Sequence, residues 1–329
     1  MKFHEKINFI LTMNIKDKFY YFFDYIIKDL FMTQLQYKQN FSGKFEFIDR
    51  SKNQKNLVLI VAGYKDFLWD AVFERIIVFL PKNYDVCICV PGRDSNKLRE
   101  IAKKNSWSYL FTRENKLALA QNLAIRKHPY SKYIFKLDED IFIGKNYFER
   151  LLATYKEVEK EGIYSPGFVA PILNINGVSY IDFLKFIKKD KEFKNKFGEF
   201  VSRCGHSKIN EDPLVSEYIW KNTFPIDEVA EKVFLKNKGK YRIIPHQYSI
   251  GAILFKKDFF DKMGGFKVGV EKILATEEVA LTEYCVRESN PMILSMQTFG
   301  GHFAYGFQTN HMKKFFEENI SLFRLSKKN

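Results

Sequence analysis

The stretch richest in chemical potential is Phe135-Lys-Leu-Asp138-Glu139-Asp140-Ile-Phe-Ile143. The residues before the acids read as a strand, so Asp138 and Asp140, two positions apart, project the same way while Glu139 points oppositely. Two carboxylates aimed together repel unless something positive sits between them. A hard divalent cation with oxygen ligands, Mg²⁺ or Mn²⁺, is the natural partner and keeps positions free for a substrate diphosphate. A lone Asp after a strand is commonly a solvated turn; here apolar residues bracket the acids on both sides, which favours the metal. Two later segments carry further candidates. In Ala275-Thr276-Glu277-Glu278, Thr276 suits a helix N-cap and places both glutamates in a first turn. The helix dipole there favours a carboxylate able to take a proton, although Glu in a first turn is also ordinary helix chemistry. In Phe299-Gly-Gly-His302-Phe-Ala-Tyr305-Gly306, the glycines suit a loop folding back over a site. A lone histidine is more often a plain hydrogen-bonded loop residue.

These residues need a scaffold, and the hydrophobic pattern supplies one. Leu57–Ala62 is a short apolar run closed by Gly63, a buried strand. Trp69–Leu80 has helical spacing and stops at Pro81; Tyr84–Val90 is a second strand closed by Pro91-Gly92. Ser95 caps a helix through Lys104, Trp107–Phe111 is a third strand and Lys116–Arg126 a third helix. Tyr133–Leu137 is the fourth strand, followed by a helix near Tyr147–Lys160. Such alternation predicts a doubly wound parallel sheet, with the acidic pair at the carboxyl edge where open α/β sheets bind ligands. After Gly162 the alternation breaks. One more strand is expected at Ser165–Leu173, helices at Tyr180–Lys188 and Val215–Lys221 within an irregular stretch, renewed regularity at Tyr241–Phe255, and helices at Lys257–Met263 and about Glu277–Arg287.

Composition bounds the reading. A chain of 329 residues, 46% hydrophobic, can bury a full core in one or two domains and is not a disordered scaffold. Lys and Arg number 53 against 39 Asp and Glu, a formal charge of +14. That suits nucleic acid, a membrane surface or an anionic substrate, but the lysines are scattered rather than clustered, which speaks against nucleic acid. The four cysteines lack metal or redox spacing. No apolar run approaches the ~20 residues of a spanning helix, and Met1-Lys-Phe-His-Glu-Lys6 does not read as a signal peptide, so a cytosolic protein is expected. The aromatic run Phe19–Phe31, flanked by lysines, fits a helix packed on the main domain better than one lying in a bilayer interface.

An apolar strand ending in Asp-x-Asp after three strand–helix units resembles the donor-binding half of GT-A fold glycosyltransferases, most nearly the inverting family 2 type. Asn115-Lys-Leu-Ala-Leu-Ala-Gln-Asn122 stands where that family has Asn-x-Gly-x-x-x-Ala-Arg-Asn; Ala120 and Asn122 match, Gln121 replaces the arginine and the glycine is missing. The resemblance implies a GT-A type, Rossmann-like, doubly wound mixed sheet with an inserted acceptor-side region. Its parts would be an aromatic-rich helical segment (1–50), a nucleotide-sugar half (51–175), a variable insertion (176–240) and an acceptor-side half with the C-terminal loop and helix (241–329). It also implies residue roles. Tyr64 would stack on the base, Asp94 hydrogen-bond it, and Lys116 or Arg113 meet the diphosphate, with Asn122 in the donor site. Asp138 would face ribose or metal-bound water, Asp140 would ligate Mn²⁺ or Mg²⁺, and His302 would complete the metal. Glu278, ahead of Glu277, would be the general base. Gly251–Phe266 resembles the acceptor-side segment. The Gln-x-x-Arg-Trp of processive members is missing, which implies transfer of one sugar. The expected partners are a nucleotide-sugar, with a UDP-sugar favoured, and a glycan or lipid-linked acceptor in bacterial surface polysaccharide synthesis. Peripheral contact with the inner membrane face would accompany a lipid-linked acceptor; nucleic acid is not expected.

Two rivals keep a place. A phosphotransferase of the haloacid dehalogenase type also ends a strand in Asp-x-Asp, but near its N-terminus and with Thr or Val where Phe142 stands. A non-enzymatic basic protein binding membrane or nucleic acid accounts for the charge and leaves the paired aspartates unexplained.

Overall fold

Leu57, Val58, Leu59 and Ile60 have no polar alternation, and a strand of that kind needs cover on both faces. All four are fully buried, at the middle of a ten-stranded mixed sheet. The structure is a computed structural model and describes residues 12–23, 28–269 and 276–325. Its strands are β1 (Phe45–Ile48), β2 (Asn56–Val61), β3 (Tyr84–Pro91), β4 (Ser108–Thr112), β5 (Tyr133–Asp138), β6 (Ile141–Ile143), β7 (Phe168–Leu173), β8 (Tyr241–Ile243), β9 (Ala252–Lys256) and β10 (Met292–His302). They run in the order β1-β4-β3-β2-β5-β9-β7-β10-β6, with β8 paired to β10.

The strands β4, β3, β2 and β5 are mutually parallel, joined by helices at Trp69–Phe79, Asn96–Lys104 and Leu117–Arg126, as the alternation predicts. Ser95 caps the second of these, its hydroxyl accepting from Leu98 N at 3.4 Å. The sheet becomes mixed beyond β5. There β9 pairs antiparallel, with Leu137 opposite Ala252, and so brings the start of β9 to the edge where β5 ends. At the far side β10 runs parallel to β7 and antiparallel to β6, with His302 opposite Ile141. His302 therefore closes a strand rather than sitting on a loop folded over the site, which corrects the expectation drawn from its glycines.

The stretch read as irregular is more helical than expected. Besides Tyr180–Phe186 and Pro213–Lys221, helices form at Asp190–Phe197, Lys208–Glu211 and Ile226–Asn237. Aromatic contacts organise this region: Phe193 lies 5.4 Å from Phe200, and Trp220 4.8 Å from Phe323. Near the N-terminus, Ile15, Phe19, Tyr20, Phe22 and Phe23 are all exposed; the rest of the run through Phe31 falls outside the described side chains. Among the described residues no helix is long and apolar enough to cross a membrane.

Arg75 ties three distant parts together. It is 1% exposed on the helix Trp69–Phe79, and its guanidinium donates to Phe323 O (3.0 Å), Ile143 O (3.2 Å) and Asp227 Oδ1 (2.9 Å). Removing it strands two buried carbonyls and one partner carboxylate. Arg75→Met is expected to lower stability by about 2–4 kcal/mol, read as a fall in the urea midpoint with the m-value unchanged.

Candidate active site

The acids at the end of β5 are met in three different ways. The strand's alternation sends Glu139 back beneath the β2 loop, where its carboxylate accepts from the backbone N–H groups of Gly63, Tyr64 and Lys65, each at 2.9 Å, and from the indole of Trp69. Burial raises the Glu139 pKa, and the donors around it work in the opposite direction. Glu139 thus fixes the loop that carries Tyr64 and Lys65. Tyr64 donates its hydroxyl to Asn115 Oδ1 at 2.6 Å and leaves its ring half exposed.

Asp138 and Asp140 project into a cleft of about 290 Å³ that also collects Tyr64, Lys65, Lys136, Glu277, Glu278 and His302. Asp138 pairs with Lys136 Nζ at 2.6 Å, and its backbone N–H donates to Gly251 O. The enclosed setting pushes the Asp138 carboxyl upward, against the pull of Lys136. Asp140 is 2% exposed; Lys65 Nζ ion-pairs with its Oδ2, and His302 Nε2 lies 3.4 Å from that same oxygen. Burial opposes the Asp140 charge, but Lys65 and His302 prevail and hold its carboxyl well below the usual range. Backbone pairing sets this encounter, because Phe303 N donates to Asp140 O at 3.0 Å and Trp220 Nε1 secures Phe303 O at 2.8 Å.

Glu278 enters from the first turn of the helix Thr276–Arg287. Its Oε1 accepts from Ile250 N (3.0 Å) and Ser249 Oγ (3.2 Å). The carbonyl of Ile250 accepts from Lys136 Nζ at 2.7 Å, so one residue's backbone links Glu278 to the Asp138–Lys136 pair. Burial raises the Glu278 pKa, with Glu277 adding to it. Glu277 lines the same cleft.

A divalent cation can be tested against the groups present. The Nδ1 of His302 lies 2.5 Å from Ile175 O, which can only accept, so Nδ1 carries the proton. The other ring nitrogen, Nε2, faces Asp140 Oδ2, so an imidazole nitrogen and a carboxylate oxygen stand together where a divalent cation would find both donors. Two ammonium groups, Lys65 and Lys136, face four carboxylates in the lining of the cleft besides Glu139, which its own N–H donors satisfy. The donor chemistry and the charge balance both suit Mn²⁺ or Mg²⁺ at Asp140 and His302. Asp138 stays with Lys136, and among the described residues no three His, Cys, Asp or Glu side chains stand close enough to share one ion.

Three expected donor-site residues stand outside this cleft. Asn122 is fully buried; it donates to Asn40 O and Phe266 O and accepts from Phe266 N, so its amide joins chain segments and has no surface for a ligand. Asp94 accepts from Arg99 and Tyr109 and lines a separate cleft with Arg93 and Lys97. Lys116 pairs with Glu114 at 2.8 Å. Sequence reasoning missed Lys136, although a lone lysine two positions before Asp138 in an apolar strand was its signal. It also gave no role of its own to Lys65, the residue after Tyr64.

No protein-family model matches the chain, and no curated protein matches it. Among solved structures it is similar to a mannosyltransferase from Pyrobaculum calidifontis in complex with GDP-Man and Mn²⁺, with 12% identity and a TM-score of 0.45 over 89% of this chain and 73% of that one. It is also similar to a protein from Desulfovibrio desulfuricans G20 provisionally assigned as a nucleotide-diphospho-sugar transferase, with 10% identity and a TM-score of 0.37 over 82% of this chain and 97% of that one. Likenesses this slight transfer neither a substrate nor a residue's role.

The Glu139 clamp generates a direct expectation. Glu139→Gln keeps the shape but turns an amide N–H₂ toward two of the four donors, while its oxygen can still accept from the other two. It should cost about 2–4 kcal/mol and speed hydrogen exchange at the amides of residues 63–65 more than in the sheet interior.

Proposed function

We propose that the chain is a divalent-metal-dependent glycosyltransferase that moves one sugar from a nucleotide-sugar to a hydroxyl of a glycan or lipid-linked acceptor, with inversion. The observation that carries this reading is the convergence of Asp138, Asp140, Glu278 and His302, from three separate segments, on one cleft at the carboxyl end of β5. A cation held by Asp140 and His302 would offset the charge of the diphosphate leaving group.

The chain's own residues supply the rest. Glu278 accepts the acceptor hydroxyl's proton as the oxygen bonds to the anomeric carbon and the bond to the diphosphate breaks, releasing a nucleoside diphosphate. Ile250 N and Ser249 Oγ hold one Glu278 oxygen, which aims the carboxylate. Lys136 pairs with Asp138 beside the donor and opposes the upward push of burial on its carboxyl. Glu277 shares the base's cleft, and the half-exposed Tyr64 ring offers a stacking face for a nucleobase. The exposed aromatics of residues 15–23, with Lys16 and Lys18 among them, support peripheral contact with a membrane bearing a lipid-linked acceptor, in surface polysaccharide synthesis.

Screening UDP-, GDP- and CMP-sugars with Mn²⁺ for hydrolysis and transfer tests the reading. Asp140→Ala should lower kcat/KM by at least about a hundredfold, with the loss partly recovered at high Mn²⁺. Phosphatase activity on simple phosphate esters with no turnover of nucleotide-sugars would favour the haloacid dehalogenase-like alternative. A base acts only when ionised, and burial raises the Glu278 pKa. Activity should therefore rise with pH through a limb above the ordinary glutamate range and level off beyond it. Glu278→Gln should remove about 10²–10⁴ of kcat and abolish that limb; a full rate with the limb intact would assign the base elsewhere.

A further inference from the structure

Lys65 holds the donors that the proposed metal would use. Its ammonium ion-pairs with Asp140 Oδ2 and donates to Ala304 O at 2.7 Å, while the His302 ring nitrogen approaches the same carboxylate oxygen at 3.4 Å. A carboxylate oxygen, a backbone carbonyl and an imidazole nitrogen converge here, and the cation among them is a side chain of the protein. The backbone beneath Lys65 is clamped by Glu139, so the four-carbon stem can re-aim from a fixed root. Lys136, the other ammonium in the cleft, is committed to Asp138 and Ile250 O with a side chain 5% exposed; the Lys65 side chain is 19% exposed.

We propose that Lys65 is an exchangeable stand-in for the metal. Without metal it neutralises Asp140; when the divalent ion binds at Asp140 and His302, Lys65 is displaced and its ammonium turns to the donor's diphosphate. This rests on the glycosyltransferase reading and adds an order of events: the metal frees the lysine, and the lysine then binds the phosphate. Lysine and metal compete for one carboxylate oxygen, whereas lysine and metal together attract the diphosphate. Loss of Lys65 must therefore act in opposite directions on the two ligands.

The test measures Mn²⁺ binding by electron paramagnetic resonance of the free ion, then UDP and GDP binding by calorimetry in saturating Mn²⁺. The full chain is used as wild type, Lys65→Met, Lys65→Gln and Lys65→Arg, with thermal melts to check folding. Both neutral variants should bind Mn²⁺ about tenfold more tightly and the preferred nucleoside diphosphate about tenfold more weakly, with Lys65→Arg near wild type. Mn²⁺ affinity that is unchanged or weaker in both neutral variants overturns the exchange while leaving the metal site standing. If neither wild type nor variants take up Mn²⁺, the metal reading falls and the exchange with it.

Discussion

Three acids in a row at the end of a buried strand impose the constraint around which this site is arranged. Carboxylates placed where a sheet edge meets a narrow cleft cannot be left unmatched, and each of the three is matched differently. Asp138 takes a lysine from its own strand face, Glu139 takes a ring of N–H donors, and Asp140 takes a lysine from the β2 loop and faces a histidine from β10. Asp138 is matched within β5, whereas Glu139 and Asp140 both draw on the β2 loop and Asp140 also on β10, so matching these two acids brings that loop and β10 to the end of β5. The mixed topology follows the same logic. The antiparallel entry of β9 puts Ile250 and Gly251 beside Asp138, and the antiparallel pairing of β10 on β6 puts His302 beside Asp140.

Glu278 illustrates how fold and chemistry meet. Its helix lies far along the chain from β5, yet the backbone of Ile250 links it to Lys136 and through that to Asp138. A carboxylate held on one oxygen by a backbone N–H and a hydroxyl, with the Cys204 thiol 3.7 Å from the other, keeps a fixed direction and an upward-shifted pKa in a partly closed cleft. Those attributes suit the proposed role of Glu278 as general base.

Much of the scaffold was legible in the sequence because it depends on local periodicity. The strands around 57–61, 84–90 and 133–137 and the intervening helices follow from apolar runs closed by glycine or proline. Asp138, Asp140, Glu278 and His302 could be singled out by type and place. What remained hidden depended on long-range pairing. Nothing local announces that His302 ends a strand opposite Ile141, or that Asn122 fastens Asn40 to Phe266. The lysines were overlooked because in a chain of charge +14 one more lysine carries little signal; only the structure separates Lys65 and Lys136 from the solvated ones. Of the N-terminal aromatics, Phe19, Tyr20, Phe22 and Phe23 are exposed, since composition fixes that a surface is apolar but not what covers it.

The proposed function requires a divalent ion between the carboxylate of Asp140 and the Nε2 of His302. Anomalous diffraction at the manganese edge, from crystals grown with Mn²⁺ and a nucleoside diphosphate, tests it most directly. The account predicts a single strong peak between Asp140 Oδ2 and His302 Nε2, with the Lys65 ammonium moved onto phosphate oxygens. A bound nucleotide with no peak there and Lys65 still paired to Asp140 would contradict it.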